Sequence, residues 1–167
     1  MLETIFERRS IRQYLDKPVE EEKIRTLLRA AMYAPSARDC RPWHFIVVRD
    51  EAVKKQFMQR QPYSRMLEQA PVLIIVCGDK RREAAPGYFL GDCGAATENL
   101  LLAACELGLG TCWLGIAPVK ERMESIKELM GLPEHIEAFC GIAVGYPAES
   151  RQTPERYDQS RVHENRW

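Results

Sequence analysis

Hydrophobic residues recur along this chain with two periods, which together predict alternating helices and strands. Ile24, Leu27, Leu28, Ala31 and Met32 fall at offsets of three and four, the pattern of an amphipathic helix. That helix is expected to open near Pro18-Val19, with Glu20, Glu21 and Glu22 complementing its dipole, and to stop before Pro35. A shorter helix is expected over Leu2–Arg8, and two more over Glu51–Arg60 and Lys120–Met130, the last closed by Gly131. Short apolar runs rich in valine, isoleucine or aromatic residues predict strands at Trp43–Val48, Val72–Cys77, Thr111–Ile116 and Ile136–Gly145.

The stretch from Gly87 to Leu107 is apolar almost all round and ends at Gly108 and Gly110. A helix of that kind must be buried on every side, yet one small domain offers an outer helix a single core face. Gly91, Gly94, Ala95 and Ala96 would admit another backbone closely, so the segment is expected to be a central helix or a subunit contact.

Two helices precede the first strand and no G-x-G-x-x-G follows it, which counts against a doubly wound dinucleotide fold. The sequence also has no P-loop, zinc spacing, G-x-S-x-G elbow or internal repeat, so neither metal nor serine-nucleophile chemistry is supported. A length of 167 residues is enough for one domain, 1–167, to bury a core without disulfides or metals. Past Pro147 the chain turns polar, but Tyr157 and Trp167 are large hydrophobes for a disordered tail. The segment 147–167 is therefore expected to dock, with a partner subunit as one surface for it.

Lys+Arg and Asp+Glu both number 24, so no global field recruits nucleic acid or an anionic membrane, and any anion site must be local. No apolar run reaches the roughly 18 residues of a membrane span. The first seven residues are too acidic for a signal peptide, and a cytoplasmic protein is expected. The six cysteines, Cys40, Cys77, Cys93, Cys105, Cys112 and Cys140, include no C-x-x-C pair, which argues against zinc and iron–sulfur frameworks. Most have apolar neighbours, as small buried thiols in a reducing compartment do.

Three segments could carry chemistry. Arg8-Arg9-Ser10-Ile11-Arg12 sets three guanidiniums and a hydroxyl within five residues, a pattern suited to gripping phosphate oxygens. In an extended backbone Ser10 and Arg12 point to one side. The same arginines also fit a helix C-terminus whose dipole they complement. The second segment, from Ala34-Pro35-Ser36-Ala37-Arg38-Asp39 to Pro42-Trp43-His44-Phe45, is a polar loop bracketed by prolines and anchored by aromatics, rigid enough for a ligand and also an ordinary helix-to-strand connection. The third, Gly108-Leu109-Gly110-Thr111-Cys112-Trp113-Leu114-Gly115, flanks a short apolar strand with glycines that would let a flat ring approach the backbone, or simply turn tightly into a buried strand. His44, His135 and His163 stand in no acid–base pair and are expected to serve packing or surface roles.

Together these segments resemble the nitroreductase family, in the family's order and over essentially the whole chain. Asn99-Leu100 with Leu102-Ala103-Ala104, Leu107–Trp113, and Gly145-Tyr146-Pro147-Ala148-Glu149 add to the match. The resemblance implies an α+β fold with a mostly antiparallel sheet flanked by helices, in an intertwined homodimer holding two FMN at its interface. It implies ping-pong chemistry in which NADH or NADPH reduces the flavin and a small acceptor, such as a nitroarene or quinone, reoxidises it. By motif position, Arg8, Arg9, Ser10 and Arg12 would hold the phosphate and ribityl end. Pro35, Ser36 and Ala37, with Arg38 and Asp39 beside them, would line the flavin from the other subunit. Leu114 and Gly115 would present backbone to the N5 edge, and Arg65 would lie near N1 and O2, where a cation stabilises negative charge. Arg156 and Arg161 in the tail would add phosphate contacts.

Asp39-Cys40-Arg41 departs from the Asn-x-Gln of many relatives, and a carboxylate there needs Arg41 or Arg38 as a partner. No side chain is assigned as a catalytic acid or base, because the flavin carries the redox step. Relatives of this fold also reduce enones, dehalogenate or fragment flavin. A non-catalytic FMN sensor would share the scaffold motifs, and a surface patch for a phosphorylated partner would share the arginine cluster.

Overall fold

The computed structural model describes residues 2–167. At its centre β2 (Val72–Asp79) and β4 (Ile136–Gly145) pair antiparallel, with β1 (Trp43–Val48) outside β2 and β3 (Gly110–Gly115) outside β4. All three pairings are antiparallel, giving the order β1-β2-β4-β3. Five helices connect and cover the sheet: α1 (Leu2–Glu7), α2 (Glu21–Met32), α3 (Glu51–Arg60), α4 (Tyr88–Glu106) and α5 (Lys120–Met130). This is the α+β architecture with an antiparallel sheet that the resemblance implied.

Every residue of β2 is buried. Val72, Ile74 and Val76 join Ile24, Leu27, Phe89 and Leu100 of α2 and α4, while Leu73, Ile75 and Cys77 join Phe57 of α3 and Ile126 of α5. A strand covered on both faces has no reason to alternate, which is why β2 reads as an unbroken apolar run.

The helix and strand limits follow the hydrophobic pattern closely: β2 runs two residues further than expected and β3 lies one residue earlier, and the larger shift is in α2. α2 begins at Glu21 rather than near Pro18-Val19, and Glu20 takes the cap position with extended backbone. Val19 is drawn into the core beside Ile24, and Leu15 N–H is bonded to Tyr146 O at 2.9 Å, so the chain runs extended until that side chain is packed. The long helix is covered on one side only. Asp92, Cys93, Ala96, Leu100 and Ala104 are buried, whereas Tyr88, Gly91, Ala95, Glu98, Leu102 and Cys105, spaced by three and four, stay half-buried or exposed. Burial all round is thus not met within one chain.

Glycine at position 141 is required by packing. A Cβ there would stand 2.8 Å from Phe57 Cζ and 3.1 Å from Leu73 Cδ1, both fully buried. Gly141→Ala is expected to cost about 1–3 kcal/mol by overpacking, read as a lower urea midpoint with an unchanged slope. An unchanged midpoint would show that α3 yields freely.

Candidate functional site

The segment after α1 runs along the outer edge of β3. Ser10 bridges Thr111 in parallel, and Ile11 N–H donates to Thr111 O at 2.8 Å. Ile11 and Tyr14 turn inward and are buried, leaving Arg12 exposed. Tyr14 pins the bend, its Oη donating to Ile11 O at 2.7 Å and its N–H to Gln69 Oε1 at 3.1 Å. Burial raises the Tyr14 phenol well above its ordinary range, so it stays protonated as a donor.

The arginines divide between two cavities. Arg8 and Arg9 line one of about 190 Å³ with Thr111, Glu149 and Arg151. Arg12 lines another, about 360 Å³, with Arg65, Met66 and Gln69. Arg8 pairs with Glu98 at 3.3 Å. Arg9 donates to the backbone oxygens of Arg8 and Gln152 at 2.6 and 3.1 Å, tying down the start of the tail. The Arg12 N–H donates to Glu149 Oε1 at 2.6 Å, and Arg151 donates to both Glu149 oxygens. That backbone donor, with Arg151, holds the Glu149 carboxyl below its usual range. Arg65 stands on a short 3-10 turn (Arg65–Glu68) with its side chain 89 % exposed and 3.7 Å from Glu68.

The loop Pro35–Asp39 is strained and heavily tied. Arg38, Asp39 and Arg41 have φ of 51°, 56° and 48°, each costing roughly 1–2 kcal/mol in a residue with a side chain. Asp39 accepts two bonds at 2.6 Å from Arg41, which holds its carboxyl below the ordinary value. Ser36 Oγ accepts the Arg41 N–H at 3.0 Å, and Asp92 Oδ1 on α4 accepts the Ala37 N–H at 2.9 Å. The Asp39–Arg41 pairing is the arrangement the sequence required of a carboxylate at that place.

At the far end of β3, Ile116 N–H bonds inward to Phe139 O, whereas the carbonyls of Thr111 and Gly115 face outward to Ile11 and Gln61. The alternation of an antiparallel ladder then turns the N–H and C=O of Thr111, Trp113 and Gly115 to the outer edge. Past Thr111 no strand covers that edge among the described residues. Leu114 is buried against the core.

One chain does not bring these parts together. The arginine segment lies outside β3 and the Pro35–Asp39 loop leads into β1, at opposite edges of the sheet; the edge strands alone are three spacings, roughly 14 Å, apart. Arg156 and Arg161 are exposed in the tail, and Arg161 pairs with Asp158 at 3.0 Å.

The nitroreductase family model matches residues 5–61 and 53–146. The chain belongs to the nitroreductase family. It is 47% identical over 167 residues to a Methanothermobacter thermautotrophicus protein provisionally named NADH dehydrogenase/NAD(P)H nitroreductase, covering 100% of this chain and 87% of that one. A Bacteroides thetaiotaomicron crystal structure under the same provisional name superposes with a TM-score of 0.94 at 46% identity, over 99% of this chain and 97% of that one. An FMN-dependent nitroreductase from Clostridium difficile superposes at 0.92 with 31% identity, over 100% of both chains.

Sequence reasoning missed Gln61 and Arg122, which both donate to the Gly115 carbonyl, and Asp92 and Arg151. Each sits outside the motif segments, and only the fold carries it to the site. Glu149 ends the Gly145–Glu149 motif, but nothing in its spacing signalled a bond to Arg12.

Of the thiols, Cys105 lines the cavity of Arg8 and Arg9. Cys77, Cys93, Cys112 and Cys140 are buried, Cys40 and Cys105 half-buried. Burial pushes Cys77 and Cys93 up to about 12 and raises Cys112 and Cys140 as well, so little thiolate forms at neutral pH. An aromatic-disulfide titration at pH 8 is expected to find at most two fast thiols, Cys40 and Cys105, and six after denaturation. Four fast thiols in the native protein would contradict this burial.

Proposed function

We propose that this chain is an FMN-dependent oxidoreductase that takes electrons from NADH or NADPH and passes them to a small acceptor, such as a nitroarene or quinone, by a ping-pong cycle. It does so as a cytoplasmic homodimer, with FMN held between copies. The observation that carries this reading is the division of the site between opposite sheet edges, because a second copy must supply the half that one chain keeps distant.

The residues present fit the cofactor. At Gly115 a Cβ would meet nothing within 4 Å, so the space beside that glycine is free for a flat ring. Bound FMN supplies two-electron chemistry, accepting a hydride from the nicotinamide and giving it up to the acceptor. Arg8, Arg9, Ser10 and Arg12 grip phosphate and ribityl oxygens from one subunit. Arg65, which shares a cavity with Arg12, sets positive charge beside the edge of the ring where negative charge builds. The strained loop of Pro35, Ser36, Ala37, Arg38 and Asp39 holds its shape before the ligand arrives and walls the ring from the other subunit. The Gly115 N–H completes the N5 side, whereas the N–H and C=O of Leu114, expected to share that role, turn inward to Gly141 of β4. Arg156 and Arg161 reach the phosphate as segment 147–167 docks on the partner, covering Tyr157 and Trp167, which are 69% and 102% exposed in one chain.

The half-open face of α4 supports the dimer. Gly91 and Gly94 cost a helix roughly 0.5–1 kcal/mol each against alanine, and at Gly91 nothing within 4 Å requires a glycine. Leu2, Ile5 and Phe6 of α1 add exposed apolar surface, and Ile5 lines a cavity with Leu102 and Ala103.

The purified protein is expected to be yellow, to bleach on adding NADH or NADPH without oxygen, and to recover colour on adding a nitroarene or quinone. FMN that binds but never bleaches would point to a sensor, and a protein that takes up no FMN would overturn the proposal. Arg12→Ala is expected to weaken FMN retention roughly tenfold to a hundredfold, the scale of a charge-assisted bond, by titration of the apoprotein. Unchanged affinity would remove Arg12 from the site.

A further inference from the structure

Gly115 has no reason within its own chain to be glycine. Its φ is outside the left-handed region and its Cβ position is open. Its carbonyl, however, is the meeting point of donors from two other elements. Gln61, at the end of α3 and 1 % exposed, donates Nε2–H to the Gly115 oxygen at 2.7 Å, while its Oε1 accepts the Tyr63 N–H at 2.8 Å. Arg122 on α5 donates from Nη1 to the same oxygen at 3.3 Å, and its guanidinium lies 5.5 Å from the centre of the Tyr63 ring. Burying a glutamine amide is costly unless both ends are bonded. Here both are, and one bond is spent on a carbonyl at the exposed edge of the sheet.

We infer that Gln61 and Arg122 are positioning residues that clamp the Gly115 carbonyl, holding the peptide group that follows the Gly115 N–H still at the flavin edge, with Arg122 adding positive charge beside that edge. The inference rests on the flavin reading above and deepens it. Glycine has the widest backbone freedom of any residue, and no side chain of its own holds Gly115 in place. Two convergent donors, one of them charged, remove that freedom. A donor fixed in advance need not reorganise as charge develops on the ring. Arg122 is half-buried, so its charge is screened less there than in bulk water.

The test compares Arg122→Met, which keeps the stem but loses fork and charge, with Arg122→Lys, which keeps charge on a single donor, and with Gln61→Met. Each is measured as apoprotein titrated with FMN, and as holoprotein for the midpoint potential of the bound flavin and the anaerobic bleaching rate at saturating NADH or NADPH. Arg122→Met is expected to retain FMN, to show a more negative potential, and to bleach roughly tenfold more slowly, the effect of losing part of a preorganised donor set. Arg122→Lys restores the potential more than the rate. In ¹⁵N-labelled apoprotein, the Gly115 amide signal shifts on FMN addition in the wild type and less in the variants. Gln61 is buried and its variant can fail to fold, so the Arg122 pair decides the matter. If Arg122→Met binds FMN and bleaches as the wild type does, at an unchanged potential, the clamp is overturned while the flavin reading stands. If the wild type itself binds no FMN, both fall.

Discussion

A sheet covered by helices on both faces can offer a ligand only its edges and ends, and every feature of the site follows from that constraint. β2 and most of β4 are sealed between α2 and α4 on one side and α3 and α5 on the other. The outer edge of β3 is therefore where backbone donors stay free, and the bond from Ile11 to Thr111 decides how much of it does. That bond and the buried Tyr14 dock the arginine segment at one end of the strand, leaving the stretch from Trp113 to Gly115 uncovered.

The charges beside this edge are arranged in pairs. Glu98 meets Arg8, Arg151 meets Glu149 and Glu68 approaches Arg65, and at the opposite edge of the sheet Asp39 meets Arg41. Exposed ion pairs of this kind contribute little to stability, so their effect is to hold guanidiniums in place. A phosphate offers those forks three oxygens and a larger charge, which makes exchange of a carboxylate partner for the ligand favourable. On the proposed reading, a chain of zero net charge carries a local anion site without a global field.

Strain is concentrated where rigidity is useful. Three residues with side chains hold left-handed backbone within four positions of the Ser36–Arg41 loop, and bonds from Asp92, Ser36 and Arg41 keep them there. Asp92 Oδ2 is buried without a partner, a further cost borne near this loop. α4 is thus both core helix and brace, with its remaining face half-open.

Much of this was already written in the order of residues. The period of apolar positions determined the helices and strands almost to their ends, because nine elements with strong amphipathic or fully apolar patterns leave little for tertiary context to override. Short motifs marked the arginine segment, the proline loop and the glycine-flanked strand, since each needs particular residues side by side. The start of α2 was misplaced because Val19 answers to a core that no local pattern describes. Only the tertiary structure decided that the marked segments lie at opposite sheet edges. It alone brought Gln61 and Arg122 onto one carbonyl, and carried Asp92 to Ala37 across 55 residues of sequence. Such contacts join elements whose spacing along the chain carries no information about their distance in space, so folding alone creates them.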